Sequence, residues 1–180
     1  MTRQFHRKSV FLSLRRLLPL LAMTLFVLPS CRVSYSFTGA SISPNVKTVT
    51  ILNFPNNAGL VVPTLSRTVT DGLRDYFTSQ TNLVQVDKGG DLLLDGTITQ
   101  YAVQPVAIQG NETAAMNRLT ITVNVKFTNK TDSKQNWESL FSRYQDYASS
   151  YNLSSVQEGL IKDITEQLVQ DIFNKAVVNW

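Results

Sequence analysis

One cysteine, Cys31, and one histidine, His6, are the whole supply of these two side chains in 180 residues. A single cysteine excludes an intramolecular disulfide. Charged residues are also sparse, at 17% of the chain, and the formal excess of +4 is confined to one end. Residues 1–30 carry Arg3, Arg7, Lys8, Arg15 and Arg16 and no acid. The remainder holds 12 of the 17 basic residues against all 13 acidic ones, a net charge of −1. His6 lies in the same first segment, so residues 31–180 contain no imidazole. They also lack the clustered Lys/Arg stripe that nucleic-acid binding requires, and no nucleic-acid partner is expected. Ser-His-Asp catalysis is excluded there for want of histidine, and so are histidine-based metal sites. A Ser-Lys or all-carboxylate site is compatible with the composition, yet no pattern points to one.

Long apolar runs are missing too. The longest, Leu17 to Leu28 (LLPLLAMTLFVL), has 12 residues, whereas a helix spanning a bilayer needs about 20. The run follows the basic stretch that ends in Arg15-Arg16, and it leads into Leu28-Pro29-Ser30-Cys31. A basic n-region, a short apolar h-region and a small residue before the break form a signal peptide. The apolar residue at −3 and the small one at −1 resemble the lipobox of bacterial lipoproteins, with Pro29 unusual at its place. Residues 1–30 are therefore read as a cleaved signal peptide and Cys31 as the lipid-bearing first residue of the mature protein. Acylation then uses up the one thiol, which removes Cys-His chemistry as well. Each buried methylene of an acyl chain contributes about 0.8 kcal/mol to anchoring. The residues that follow, Arg32-Val33-Ser34, lack the Asp that commonly retains lipoproteins in the inner membrane. The expected location is the periplasmic face of the outer membrane.

The rest divides into a lipidated N-terminal segment, 31–45, and a single domain, 46–180. Val46–Phe54 is rich in β-branched residues and reads as a strand. Pro63 suits the first position of a helix. Leu65, Val69, Leu73, Tyr76 and Phe77 continue it at helical spacing to about Ser79. Gly72 weakens that helix by about 1 kcal/mol relative to Ala, or permits close packing on a sheet. Leu83–Val86 is a short strand, Lys88-Gly89-Gly90 a turn, and Asp91–Pro105 a long strand in which Gly96 marks a bulge or close approach. From Arg118 to Asn129, Leu119, Ile121, Val123, Val125 and Phe127 alternate with polar residues, the pattern of a strand with one wet face. Thr131–Asn136 is a hairpin loop, and Trp137–Tyr147 returns with Phe141 inward. Ser155 with Glu158 reads as a capping box, opening a helix with a broad apolar stripe from Val156 to Val177. The fold class that follows is α+β: a two-layer sandwich with a mainly antiparallel or mixed sheet of four to five strands, covered on one face by two amphipathic helices.

Candidate chemistry is thin. Asp87, Asp91 and Asp95 offer oxygen ligands, but their spacing matches no EF-hand loop, so solvated loop charges are the default. No metal and no cofactor is expected beyond the acyl lipid on Cys31. Pro105–Asn117 (PVAIQGNETAAMN) exceeds the usual hairpin connection of about 2–5 residues and is a natural contact element on a rigid scaffold.

Several stretches resemble the LptE family: Tyr35-Ser36-Phe37-Thr38-Gly39-Ala40, Pro63-Thr64-Leu65-Ser66, Gly89-Gly90-Asp91-Leu92, Pro105 to Ala115, Arg118-Leu119-Thr120-Ile121, and Asp171 to Trp180. The resemblance spans the mature chain. It implies a non-enzymatic outer-membrane lipoprotein that plugs the large β-barrel LptD, supports its assembly and helps deliver lipopolysaccharide to the outer leaflet. Its partners would be that barrel, lipopolysaccharide and outer-membrane lipid. Basic residues near a loop tip are linked to lipopolysaccharide in the family. On that analogy Arg118, beside the long loop, and Lys126 are candidate lipopolysaccharide contacts, and within the loop Gln109, Asn111 and Glu112 are candidate lipopolysaccharide or partner contacts. The alternative from composition alone is a periplasm-facing lipoprotein that binds another envelope ligand or protein.

Overall fold

The sequence pattern sets a strand beside a helix, a meander of three long strands and a second helix. A computed structural model gives this order and describes residues 42–60, 62–106 and 115–178. These residues belong to one unit, Phe37–Trp180. The elements are β1 (Thr48–Ile51), α1 (Pro63–Gln80), β2 (Val84–Gln85), β3 (Leu92–Val106), β4 (Met116–Asn129), β5 (Trp137–Ala148) and α2 (Leu153–Phe173), with a π-helical turn at Asn174–Val178. The sheet has five strands in the order β2-β1-β3-β4-β5. β1 runs parallel to both β2 and β3, and β3, β4 and β5 form an antiparallel meander. The expected mixed sheet with two helices is what forms.

Alternation decides the two faces. Leu119, Ile121, Val123, Val125 and Phe127 of β4 are buried, with Val49, Ile51, Leu92, Leu94 and Ile98 from the neighbouring strands. Leu65, Val69, Leu73 and Phe77 of α1, and Leu160, Ile164, Leu168 and Ile172 of α2, complete the same apolar cluster. Phe173 meets Tyr76 and Phe77 edge-on, both at 5.0 Å between centroids. Phe141 is half-buried against this core, as the pattern requires, with its ring 5.8 Å from that of Trp137. The even-numbered residues of β4 face away and form a wet surface.

The structure corrects four local readings and decides between the two alternatives at Gly96. β1 is shorter than Val46–Phe54, because the Lys47 and Thr48 amides both donate to the Asp91 carboxylate (2.8 and 2.9 Å). Past Ile51 the chain follows the edge of β3 through single bonds, such as Leu52 N–H to the Leu94 carbonyl. The bulge sits between Ile98 and Gln100, not at Gly96. Gly96 marks a close approach instead: a Cβ there would lie 2.3 Å from the Phe54 ring and 2.5 Å from the Asn124 carbonyl. Gly72 faces Thr165 and Val169 of α2 and not the sheet. The second helix opens two residues before Ser155. Asn152 caps it by accepting from Ser154 N–H at 3.2 Å, and the Ser155 hydroxyl donates to the Asn152 carbonyl. The cap moves upstream because Leu153 already packs on the core. Finally, the long connection is shorter than Pro105–Asn117, since Val106 and Met116 are a paired register position of β3 and β4.

Candidate functional site

The wet face of the meander carries the described candidate residues. Arg118 lies near the start of β4, two residues after the long connection ends. Its register partners are Gln104 on β3 and Asp146 on β5. Arg118 Nε donates to Asp146 Oδ1 at 2.7 Å and Nη2 to Oδ2 at 2.9 Å. This planar fork-to-carboxylate pair is the strong form of ion pair. The guanidinium carbon also sits 3.7 Å from the Tyr144 ring centroid, in cation–π contact. Bonding to Arg118 holds the Asp146 carboxyl below its ordinary value, and the same bonds raise Arg118. Arg118 is thus a compensated charge clamped between two β5 side chains.

Lys126 occupies the same face eight positions further on, about 26 Å away along an extended strand. It is exposed, with Asp95 and Glu138 as its cross-strand register partners. The fold therefore does not bring Arg118 and Lys126 together. Gln109, Asn111, Glu112 and Cys31 lie outside the described residues.

Between the two cations the face is mostly uncharged and internally bonded. Thr122 donates to Gln100 at 3.1 Å and shares a hydrogen bond of 3.0 Å with Ser142. Asn124 donates to Glu138 at 2.8 Å. Leu140 and Tyr144 add exposed apolar area, at 67% and 51% accessibility. Such a face offers hydroxyls, amides, an aromatic ring and little net charge, which suits contact more than bond-making.

Sequence reasoning missed two devices. One is the Asp91 bracket: beside the two amides, its carboxylate accepts from the Thr48 hydroxyl at 2.9 Å. These bonds, led by that from the Lys47 amide, hold Asp91 below its ordinary value. Asp91 is thereby tied up in joining β1 to β3, and among the described residues no group of three His, Cys, Asp or Glu is placed to hold a metal ion. The signal available was Thr48 inside a strand opposite an acidic residue, which is too common to single out. The other is a second bidentate clamp, Arg143 on β5 to Asp171 on α2, at 2.5 and 2.8 Å. Its members are separated by 28 residues, and no motif links them. Nearby, Lys175 donates to Ser139 and lies 5.0 Å over the Trp137 ring. Together they fasten the last helix to β5.

No described helix is long and apolar enough to cross a membrane. Among solved structures, a minor lipoprotein from Acinetobacter baumannii is similar, with a TM-score of 0.51 and 14% identity over 74% of this chain and 94% of its own. Rare lipoprotein B from Shewanella oneidensis aligns with a TM-score of 0.48 and 13% identity over 71% of this chain and 92% of its own. At such identities the first likeness speaks for the fold alone. A search of curated proteins finds no match. The family model described as LptE, lipopolysaccharide-assembly, matches residues 46–176, from the start of the sheet to the last turn of helix. With most of its length covered by that match, the chain belongs to the LptE family of lipopolysaccharide-assembly proteins.

Proposed function

We propose that this protein is an outer-membrane lipoprotein, held by acyl chains on Cys31, whose domain plugs an LptD-type β-barrel, supports the barrel's assembly and helps deliver lipopolysaccharide to the outer leaflet. The observation that carries the reading is the family match over residues 46–176. The wet sheet face supports it, because Arg118 is paired with Asp146 and the Thr122 and Asn124 side chains are bonded across the strands. Such a surface can lie against another protein with little unpaired charge to desolvate. Arg118 is a proposed contact at one end of this face and Lys126 one at the other, and the segment Gln109–Thr113 is a further proposed contact. No catalytic step is assigned, and no cofactor beyond the covalent lipid.

The direct test is affinity purification of the tagged lipoprotein after gentle detergent extraction of membranes. The expected result is a stoichiometric β-barrel partner, and loss of mature barrel and of surface lipopolysaccharide when the lipoprotein is depleted. A lipoprotein that purifies alone, with the barrel maturing normally without it, overturns the reading.

A further inference from the structure

β5 forms one edge of the sheet and spans 12 residues. Two backbone bonds fix which of its groups point off that edge. Lys130 N–H donates to the Asp91 carbonyl, and Ser149 N–H donates to the Ala115 carbonyl, both at 2.9 Å. In an antiparallel strand the N–H and C=O of one residue turn to the same neighbour, and successive residues alternate. Even-numbered β4 residues therefore bond β3, and odd-numbered ones bond β5. The odd-numbered residues of β5, from Trp137 to Tyr147, lie opposite the odd-numbered ones of β4. That leaves Glu138, Leu140, Ser142, Tyr144 and Asp146 with their N–H and C=O directed outward. Among the described residues no backbone group bonds these ten.

The chemistry of this row specifies its occupant. Alternate donors and acceptors at strand spacing are matched by one extended backbone, the mode of strand addition. Leu140 and Tyr144, both largely exposed, add apolar area for it to cover. A second copy of this chain fits poorly. A two-fold axis through the sheet keeps even-numbered residues opposite even-numbered ones. The two registers that overlap nearly all of β5 then set Glu138 against Asp146, or Arg143 against itself. Like charges directly opposite destabilise a strand pair. Length points to another source: a strand that crosses a membrane in a barrel has about 9–11 residues, close to the 12 of β5. Such a strand has a free edge only while its barrel is open, because closure removes the edges.

We infer that the outer side of β5 pairs with a terminal strand of the partner barrel before that barrel closes, and gives it up on closure. The pairing would satisfy the backbone of both edges during assembly. This inference rests on the proposed partnership with a β-barrel and adds where and when the two chains join.

The test uses the full lipoprotein in cells, with photoreactive benzoylphenylalanine in place of the exposed Leu140 and with pulse-labelled barrel. Irradiation during the pulse is expected to join position 140 to the first or last strand of the barrel, and the product is expected to vanish during the chase as the barrel matures. Ser142→Pro removes one outward N–H, a place where an edge strand tolerates proline. It should abolish this product and delay maturation of the barrel while leaving melting close to that of the parent. Ser142→Ala loses the same hydroxyl but keeps the N–H, and should do neither. Products with a second copy, with this chain itself, or with interior barrel strands only, overturn the inference. So does a terminal-strand product that survives Ser142→Pro in a folded protein. Should Ser142→Pro fail to fold, the products from position 140 of the otherwise unchanged chain decide. Mature barrel that co-purifies without any terminal-strand product overturns this inference alone, whereas absence of any barrel partner overturns the plug reading beneath it.

Discussion

Arg118 was legible in the sequence as a residue of a wet strand face, because the alternation of Leu119 to Phe127 fixes which side it takes. Its partners were not: Asp146 lies 28 residues away, and only the β4–β5 register brings the two together. The same holds for Gly96, where a glycine in a strand pattern announces a close approach but not the Phe54 ring that makes it. Gly96→Ala is expected to destabilise the domain by about 1–3 kcal/mol through overpacking, read as a lowered denaturant midpoint with an unchanged slope. A neutral result would mean that Phe54 moves aside freely. Val123 is fully buried, and Val123→Asp places an unpaired carboxylate there at a cost of about 3–5 kcal/mol. Loss of the cooperative circular-dichroism transition is the expected outcome. Asp91 and Asp146 both have folded-state values below those of the unfolded chain. Their contribution is therefore complete above the unfolded value near 3.8 and fades as pH falls through the lower folded value. Stability should drop in acid over that window, and Asp146→Asn should flatten the drop while lowering stability at neutral pH.

Among the elements, type and order were readable, because periods of two and of 3.6 separate strands from helices. Ends were less so. The capping box at Ser155 and Glu158 was a sound local pattern, yet Asn152 won because the tertiary contact of Leu153 starts the helix earlier. Asn152→Ala should cost about 0.5–2 kcal/mol, while Ser155→Ala should cost less, since its hydroxyl bonds a carbonyl and no orphan amide. Equal losses would restore Ser155 as the cap. The connection between β3 and β4 hangs from a paired position, Val106 with Met116. Substitutions in Gln109–Thr113 should therefore weaken barrel co-purification far more than they lower the melting temperature. Parallel losses in both would make the connection a structural part of the domain.

For the whole molecule, composition excluded an intramolecular disulfide and left residues 31–180 without histidine, and the wet face was visible only as a run of polar alternates on β4. The candidate residues Arg118 and Lys126 turned out to occupy opposite ends of that face, because sequence proximity along a strand is distance in space. Cys31→Ala should leave the protein releasable from membranes without detergent; persistence in the detergent fraction would argue against lipid anchoring. The sheet order leaves two edges of unequal length. One edge, β2, is only two residues long, too brief to template a neighbour. The other, β5, spans 12 residues, and a bare edge of that length invites self-association. It carries Glu138, Arg143 and Asp146 and is tied down by Asp171 and Lys175 from the last helix. Those ties act as gatekeepers against strand-by-strand aggregation, so cutting them with Arg143→Ala and Lys175→Ala should first show itself as oligomers on a sizing column rather than as lost secondary structure.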